Sequence, residues 1–128
     1  MYSKEVMERF RHPKHLGDIK DADAIGKVGN PMCGDVMELY VKIEKNEQGK
    51  EYIKDIKVKT YGCVAAISSS DVLCDLAIGK TLEEADKITK DDVVSKLGTL
   101  PPAKIHCSVL ASDALHKAIE EYRKKTKA

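Results

Sequence analysis

M-E-L-Y-V-K-I-E, Met37 to Glu44, decides the fold. Met37, Leu39, Val41 and Ile43 alternate with Glu38, Tyr40, Lys42 and Glu44. That period of two is a β-strand with one buried face and one wet face. N-E-Q-G-K at 46–50, with Gly49, reads as a hairpin loop. The strand after it runs to about Tyr61, with Ile56, Val58 and Thr60 on one face. Ile53 has the opposite parity, so a bulge or late start is expected near Asp55. Upstream, Ala24 to Val28 reads as a short edge strand. Between the two, G-N-P-M-C-G-D at 29–35 is a shaped turn built on Gly29, Pro31 and Gly34.

Beyond Y-G-C at 61–63 the pattern becomes helical. Ala66, Ser70, Leu73 and Ala77 share a face, with Ile67, Cys74 and Ile78 beside it, and Gly79 is the stop. T-L-E-E-A at 81–85 and T-K-D-D-V-V-S-K-L at 89–97 read as short helices capped by Thr81 and Thr89, the second ended by Gly98. In L-P-P-A-K-I-H-C-S-V-L at 100–110, Pro101 and Pro102 forbid a regular helix. A long helix follows, from about Ile105 or Cys107 to Lys124, with Ala111, Ala114, Leu115, Ala118, Ile119 and Tyr122 as its buried stripe. At the other end Ser3 caps a short helix with Val6, Met7 and Phe10 inward, and Pro13 ends it. His12 and His15 read as exposed. Strands first and helices afterwards indicate α+β: a small antiparallel sheet of about three strands, helices on one face, and a long C-terminal helix. The 128 residues suit a single domain, 1–128.

Lys plus Arg is 22 and Asp plus Glu is 21, a balance that argues against a nucleic-acid binder. With no Trp and one Phe, the core must come from Val, Ile, Leu, Ala and Met. No apolar run is long enough for a transmembrane helix, so no membrane partner is expected. M-Y-S-K-E-V-M-E-R-F reads as no secretory signal. A cytoplasmic, reducing location with free cysteines is therefore expected.

Three of the four cysteines sit at element ends. Cys33 lies in the Gly/Pro turn, Cys63 joins a strand to a helix, and Cys107 joins the proline turn to a helix. Cys74 falls mid-helix on an apolar stripe and reads as core. A helix N-terminus favours a thiolate at Cys63 and Cys107. Asp35, two residues beyond Cys33, shares its side in an extended chain, and His106 adjoins Cys107. Soft thiolates take Zn(II), Cu(I) or iron–sulfur iron. A mixed S/O/N set is unusual for a closed structural zinc site, and no tight C-x2-C pair is present. On the residues alone, a metal or cluster site stands beside unrelated reactive or core cysteines. Adjacent helical residues diverge by about 100°, which disfavours His106 as a base for a Cys107 nucleophile.

The chain resembles the IscU family of iron–sulfur cluster assembly scaffolds, also found as the N-terminal module of NifU. The matching stretches are G-N-P-M-C-G-D-V-M at 29–37, Y-G-C-V-A-A-I-S-S-S at 61–70, and L-P-P-A-K-I-H-C-S-V-L-A-S-D-A-L at 100–115, together with the N-terminal Y-S-K-E-V-M-E-R-F-R-H-P. Val64 and Ala103 depart from the family pattern. The resemblance implies a scaffold rather than an enzyme. Its cluster cysteines fall on Cys33, Cys63 and Cys107, its site aspartate on Asp35 and its site histidine on His106. Asp35 and His106 remain alternative fourth ligands. It implies a [2Fe–2S] cluster built from iron and from sulfur supplied by a cysteine desulfurase. Zn(II) would compete for the same ligands. It further implies an electron donor such as ferredoxin, apo acceptor proteins, and a monomer or cluster-dependent homo-oligomer. Leu100, Pro101, Pro102, Ala103 and Lys104 correspond to the segment that the family presents to an Hsp70-type chaperone.

Overall fold

The alternating strand is the centre of a three-stranded antiparallel sheet, ordered β1 (Ala24–Asn30), β2 (Asp35–Lys45), β3 (Glu51–Tyr61). The computed structural model describes residues 2–30, 35–98 and 100–127, and only the backbone of residues 30, 35, 103, 126 and 127. Met37, Leu39, Val41 and Ile43 are buried on the helix-covered face, together with Ile53, Ile56 and Val58 of β3. The parity change in β3 is resolved by a bulge. Lys42 pairs with Asp55, but Ile43 pairs with Ile53, so Lys54 is the extra residue. The slip returns Ile53 to the core. Gly49 closes the hairpin at φ 78°, a conformation that glycine adopts without strain.

Five α-helices complete the fold among the described residues: α1 (Lys4–Arg11), α2 (Val64–Ala77), α3 (Leu82–Asp86), α4 (Lys90–Leu97) and α5 (Ile105–Lys127). Ser3, Thr81 and Thr89 are N-caps as expected; Thr81 and Thr89 both complete capping boxes. A 3-10 turn at Pro102–Lys104 stands between the prolines and α5. Cys107 is therefore the third residue of α5 rather than its first.

Two expectations are corrected. Phe10 does not face the core of α1; it is 38% exposed, and the buried positions are Val6 and Arg9. His12 is exposed but His15 is buried. The cause is a polar network reaching from α1 to α2. Arg9 bridges Asp71 and Asp75, Asp71 Oδ1 accepts the Lys14 and His15 backbone N–H groups, and His15 Nε2 lies 2.7 Å from Asp75 Oδ1. Burial alone would raise the Asp75 pKa, but hydrogen bonds from His15 and Arg9 outweigh it and hold the carboxyl below its usual range. A lowered carboxylate pKa contributes stability that is complete above the unfolded value near pH 4 and is lost as pH falls through the folded value. Asp75→Asn should therefore cost about 2 kcal/mol at pH 7. The gap from the parent should shrink below about pH 4, as urea unfolding at pH 7 and pH 3 would show.

α2 also differs from its expected one-sided stripe. Ala65, Ala66, the run Ser68 to Cys74 and Ala77 are all buried, although Ile78 is exposed. Small residues let α1, α4, α5 and β3 all approach this helix. Two of its serines bond within and beyond the helix: Ser68 Oγ donates to Val6 O of α1, and Ser70 Oγ donates to Ile67 O while accepting from Thr60.

Candidate metal centre

Three chain segments arrive at one end of the sheet. β1 ends at Asn30, which pairs with Asp35, the first residue of β2. Val36 pairs with Tyr61, the last residue of β3, so Cys63 follows two residues later beside the start of β2. Helix α5 lies along β1, running the opposite way. A Cβ on Gly26 would meet Ala114 O and Ala118 N, and Lys125 Nζ donates to Asp23 O. From that contact Cys107 is about 13 Å further along α5, and Asn30 about 13 Å further along β1. The start of α5 therefore lies level with the paired ends of β1 and β2, at Asn30 and Asp35.

Cys63 is the N-cap of α2 in extended backbone, with no side-chain capping bond. Its Sγ lies 3.8 Å from Cys107 Sγ. Cys107 is fully buried, and its Sγ lies 3.5 Å from His106 Nε2. This corrects the expected divergence of the two neighbours: the imidazole, longer than the arc between adjacent positions, folds back onto the sulfur. No disulfide joins Cys63, Cys74 and Cys107. Cys74 is a core residue, as expected, and burial pushes its thiol well above the ordinary value.

These separations are informative. Two thiolates about 2.3 Å from one tetrahedral metal stand about 3.8 Å apart; a thiolate and an imidazole stand about 3.5 Å apart. Cys107 is thus at ligand-edge distance from both Cys63 and His106. Among the described residues no three His, Cys, Asp or Glu side chains close around a common point. Of the other expected site residues, Cys33 lies outside the described residues, and Asp35 is described by its backbone at the adjacent end of β2. The donor types fit a thiophilic metal or cluster.

The model of the NifU-like N terminal domain family matches residues 1–128. The chain belongs to this family, and within it to the IscU type. The iron-sulfur cluster assembly scaffold protein IscU 1 of Archaeoglobus fulgidus is 50% identical over 125 residues, covering 98% of this chain and 78% of that protein. IscU of Azotobacter vinelandii is 46% identical over 127 residues, covering 97% and 95%. The fold agrees with solved members of the NifU/IscU group. The N-terminal NifU-like protein of Brucella abortus superposes with a TM-score of 0.74 at 16% identity, covering 96% of this chain and 94% of that one. In this IscU-type chain the Leu100–Lys104 segment is not uniformly presented. Leu100 is buried, Pro102 is exposed, and Pro101 and Lys104 are half-buried. Leu100→Ala should therefore act mainly as a core truncation, costing about 3 kcal/mol in chemical denaturation.

Proposed function

We propose that this chain is a scaffold on which a [2Fe–2S] cluster is assembled and then passed to apo acceptor proteins. The observation that carries the reading is the 3.8 Å separation of Cys63 and Cys107, residues 44 apart in sequence. Cys33, Cys63 and Cys107 are the thiolate ligands, with Asp35 or His106 as the fourth donor. Family membership and the naming of its relatives as cluster assembly scaffolds support this. A cysteine desulfurase supplies sulfur as a persulfide, and an electron donor such as ferredoxin reduces it to sulfide. On this reading the chain is a carrier rather than an enzyme, works in the cytoplasm as one domain, and offers the exposed Pro102 turn to an Hsp70-type chaperone. It is a monomer or a cluster-dependent homo-oligomer.

Each wall contributes a distinct property. Cys63, the N-cap of α2, stands at the partially positive end of that helix, beside which an anionic cargo is favoured. Burial of Cys107 keeps water from one side of the cargo. Asp35, a hard oxygen donor among soft ones, makes the bound cluster exchangeable. Zn(II) suits the same sulfur and nitrogen edges and would occupy the site in competition. Anaerobic reconstitution with ferrous iron and sulfide tests the proposal. Visible sulfide-to-iron charge transfer is expected, with two irons and two sulfides per site. A protein that stays colourless while retaining zinc stoichiometrically would refute it. Asp35→Ala should slow transfer to an apo-ferredoxin by about tenfold; equal or faster transfer would remove the lability argument.

A further inference from the structure

The polar network between α1 and α2 is used by nothing described so far. Arg9 and Asp71 are both buried, 3.0 Å apart. The Arg9 guanidinium also meets Glu5 and Asp75. Hydrogen bonding to these carboxylates outweighs the burial penalty and raises the already high arginine pKa, so the charge is permanent. Asp71 in turn holds the chain past Pro13 through two backbone N–H groups, at 2.8 and 2.9 Å. A buried ion pair is weak support for net stability, because desolvation offsets attraction. Directional placement is what such a network supplies best.

Its position decides what it would place. Ser68 Oγ donates to Val6 O at 2.8 Å, so α1 grips α2 from its second turn, at Ser68, to its last, at Asp75. The other end of α1 grips α4. Ser3 Oγ accepts from Val6 N and donates to Leu97 O at 2.5 Å, at the point where α4 ends and the lead-in to Cys107 begins. One short segment thus touches α2, which begins at Cys63, and the end of α4, ten residues before Cys107.

We infer that residues 3–15 form a clasp in which Arg9 and Asp71 are positioning residues, setting the spacing of Cys63 and Cys107 through α2 and the end of α4. This rests on the reading of the two thiols as a ligand pair. The fork of Arg9 fixes the rotation of α2 about its own axis, and that rotation directs the Cys63 sulfur at Cys107. Loss of the fork leaves α2 packed by its small residues but free to turn.

A dithiol probe reads the spacing without any cluster. In a Cys33→Ser, Cys74→Ser background only Cys63 and Cys107 remain as thiols. Phenylarsine oxide condenses with two neighbouring thiols, forming two As–S bonds and releasing water. The background should bind it with an affinity that collapses on adding Cys63→Ser. Arg9→Gln should weaken binding about tenfold, with Asp71→Asn as the second variant should Arg9→Gln not fold. The stability control is Leu82→Ala, a buried truncation in α3 near the far end of β3, where Tyr52 bridges Thr81. All variants are compared at a temperature where circular dichroism shows each fully folded. Weakened binding in the network variants but not in Leu82→Ala supports the clasp. Equal affinity in the network variants and Leu82→Ala overturns it. A background that binds equally well with and without Cys63 overturns the ligand-pair reading itself, a result distinguishable from the first.

Discussion

Cys63→Ser and Cys107→Ser should each abolish stable metal loading, whereas Cys74→Ala should leave it intact. The contrast follows from geometry, not from residue type. Cys63 and Cys107 face each other at 3.8 Å, while Cys74 is enclosed in α2 with its thiol held protonated by burial. Serine keeps the volume but replaces a soft anionic donor with a neutral hydroxyl. If about 12 kcal/mol of binding is shared by four ligands, each carries about 3 kcal/mol, so about a hundredfold of affinity is lost. Co(II) titration is the direct measurement, since thiolate-to-cobalt absorption counts the sulfur ligands. Cys63→Ser and Cys107→Ser should lose intensity and affinity together. Cys74→Ala should match the parent in both and lose only stability, through a small core cavity. Loss of the cobalt spectrum in Cys74→Ala with retention in Cys63→Ser would invert the assignment of the site.

Most of the fold was legible because it is written in local rules. Period-two alternation announced β2 and its inward face, and the parity change at Ile53 announced the bulge. Thr81 and Thr89 announced their helices through caps that act within three residues. What stayed hidden depends on partners far along the chain. His15 lies in a charged stretch, and nothing near it signals burial; its carboxylate partner is sixty residues away. Arg9 sits where a hydrophobic stripe would place an apolar residue, and only Asp71 makes that position tolerable. The burial of α2 on most sides was masked by serines, which count as polar in a pattern but are small enough to pack, Ser70 bonding back within its own helix and Ser68 to Val6 O of α1. At the site, spacing alone left the cysteines ambiguous. Convergence of Cys63 and Cys107 is a property of sheet register and helix direction, and the resemblance anticipated it where spacing did not. The fold of the His106 ring onto Cys107 was missed because helical rotation describes Cβ directions, not the reach of an imidazole.

Gly26→Ala should be the most destabilising of the glycine-to-alanine changes at Gly17, Gly26, Gly49, Gly79 and Gly98, and it should damage the site as well as the fold. A Cβ at Gly26 would lie 2.1 Å from Ala114 O, 2.6 Å from Ala118 N and 3.0 Å from Ala118 Cβ. Two of these are backbone atoms of α5, so no side chain can rotate away. Alanine in a strand would otherwise gain about 0.5–1 kcal/mol over glycine by reducing unfolded-state entropy. Overpacking against a rigid helix costs more, about 3 kcal/mol or above, and sets the sign. In a domain of this size that lowers Tm by about 10 °C. Gly49→Ala is the instructive contrast. No atom lies within 4 Å of its added Cβ, so only the strain of a positive φ remains, about 1 kcal/mol. The Gly26 clash also acts at a distance. Helix α5 must lift from β1 or slide along it, and Cys107 travels with the helix while Cys63 stays with α2. The cobalt titration of Gly26→Ala should therefore show weakened thiolate absorption even below its unfolding temperature, and that of Gly49→Ala should not. Full parental cobalt affinity in folded Gly26→Ala would mean that the start of α5 is held by the proline turn and α2 rather than by its seat on the sheet.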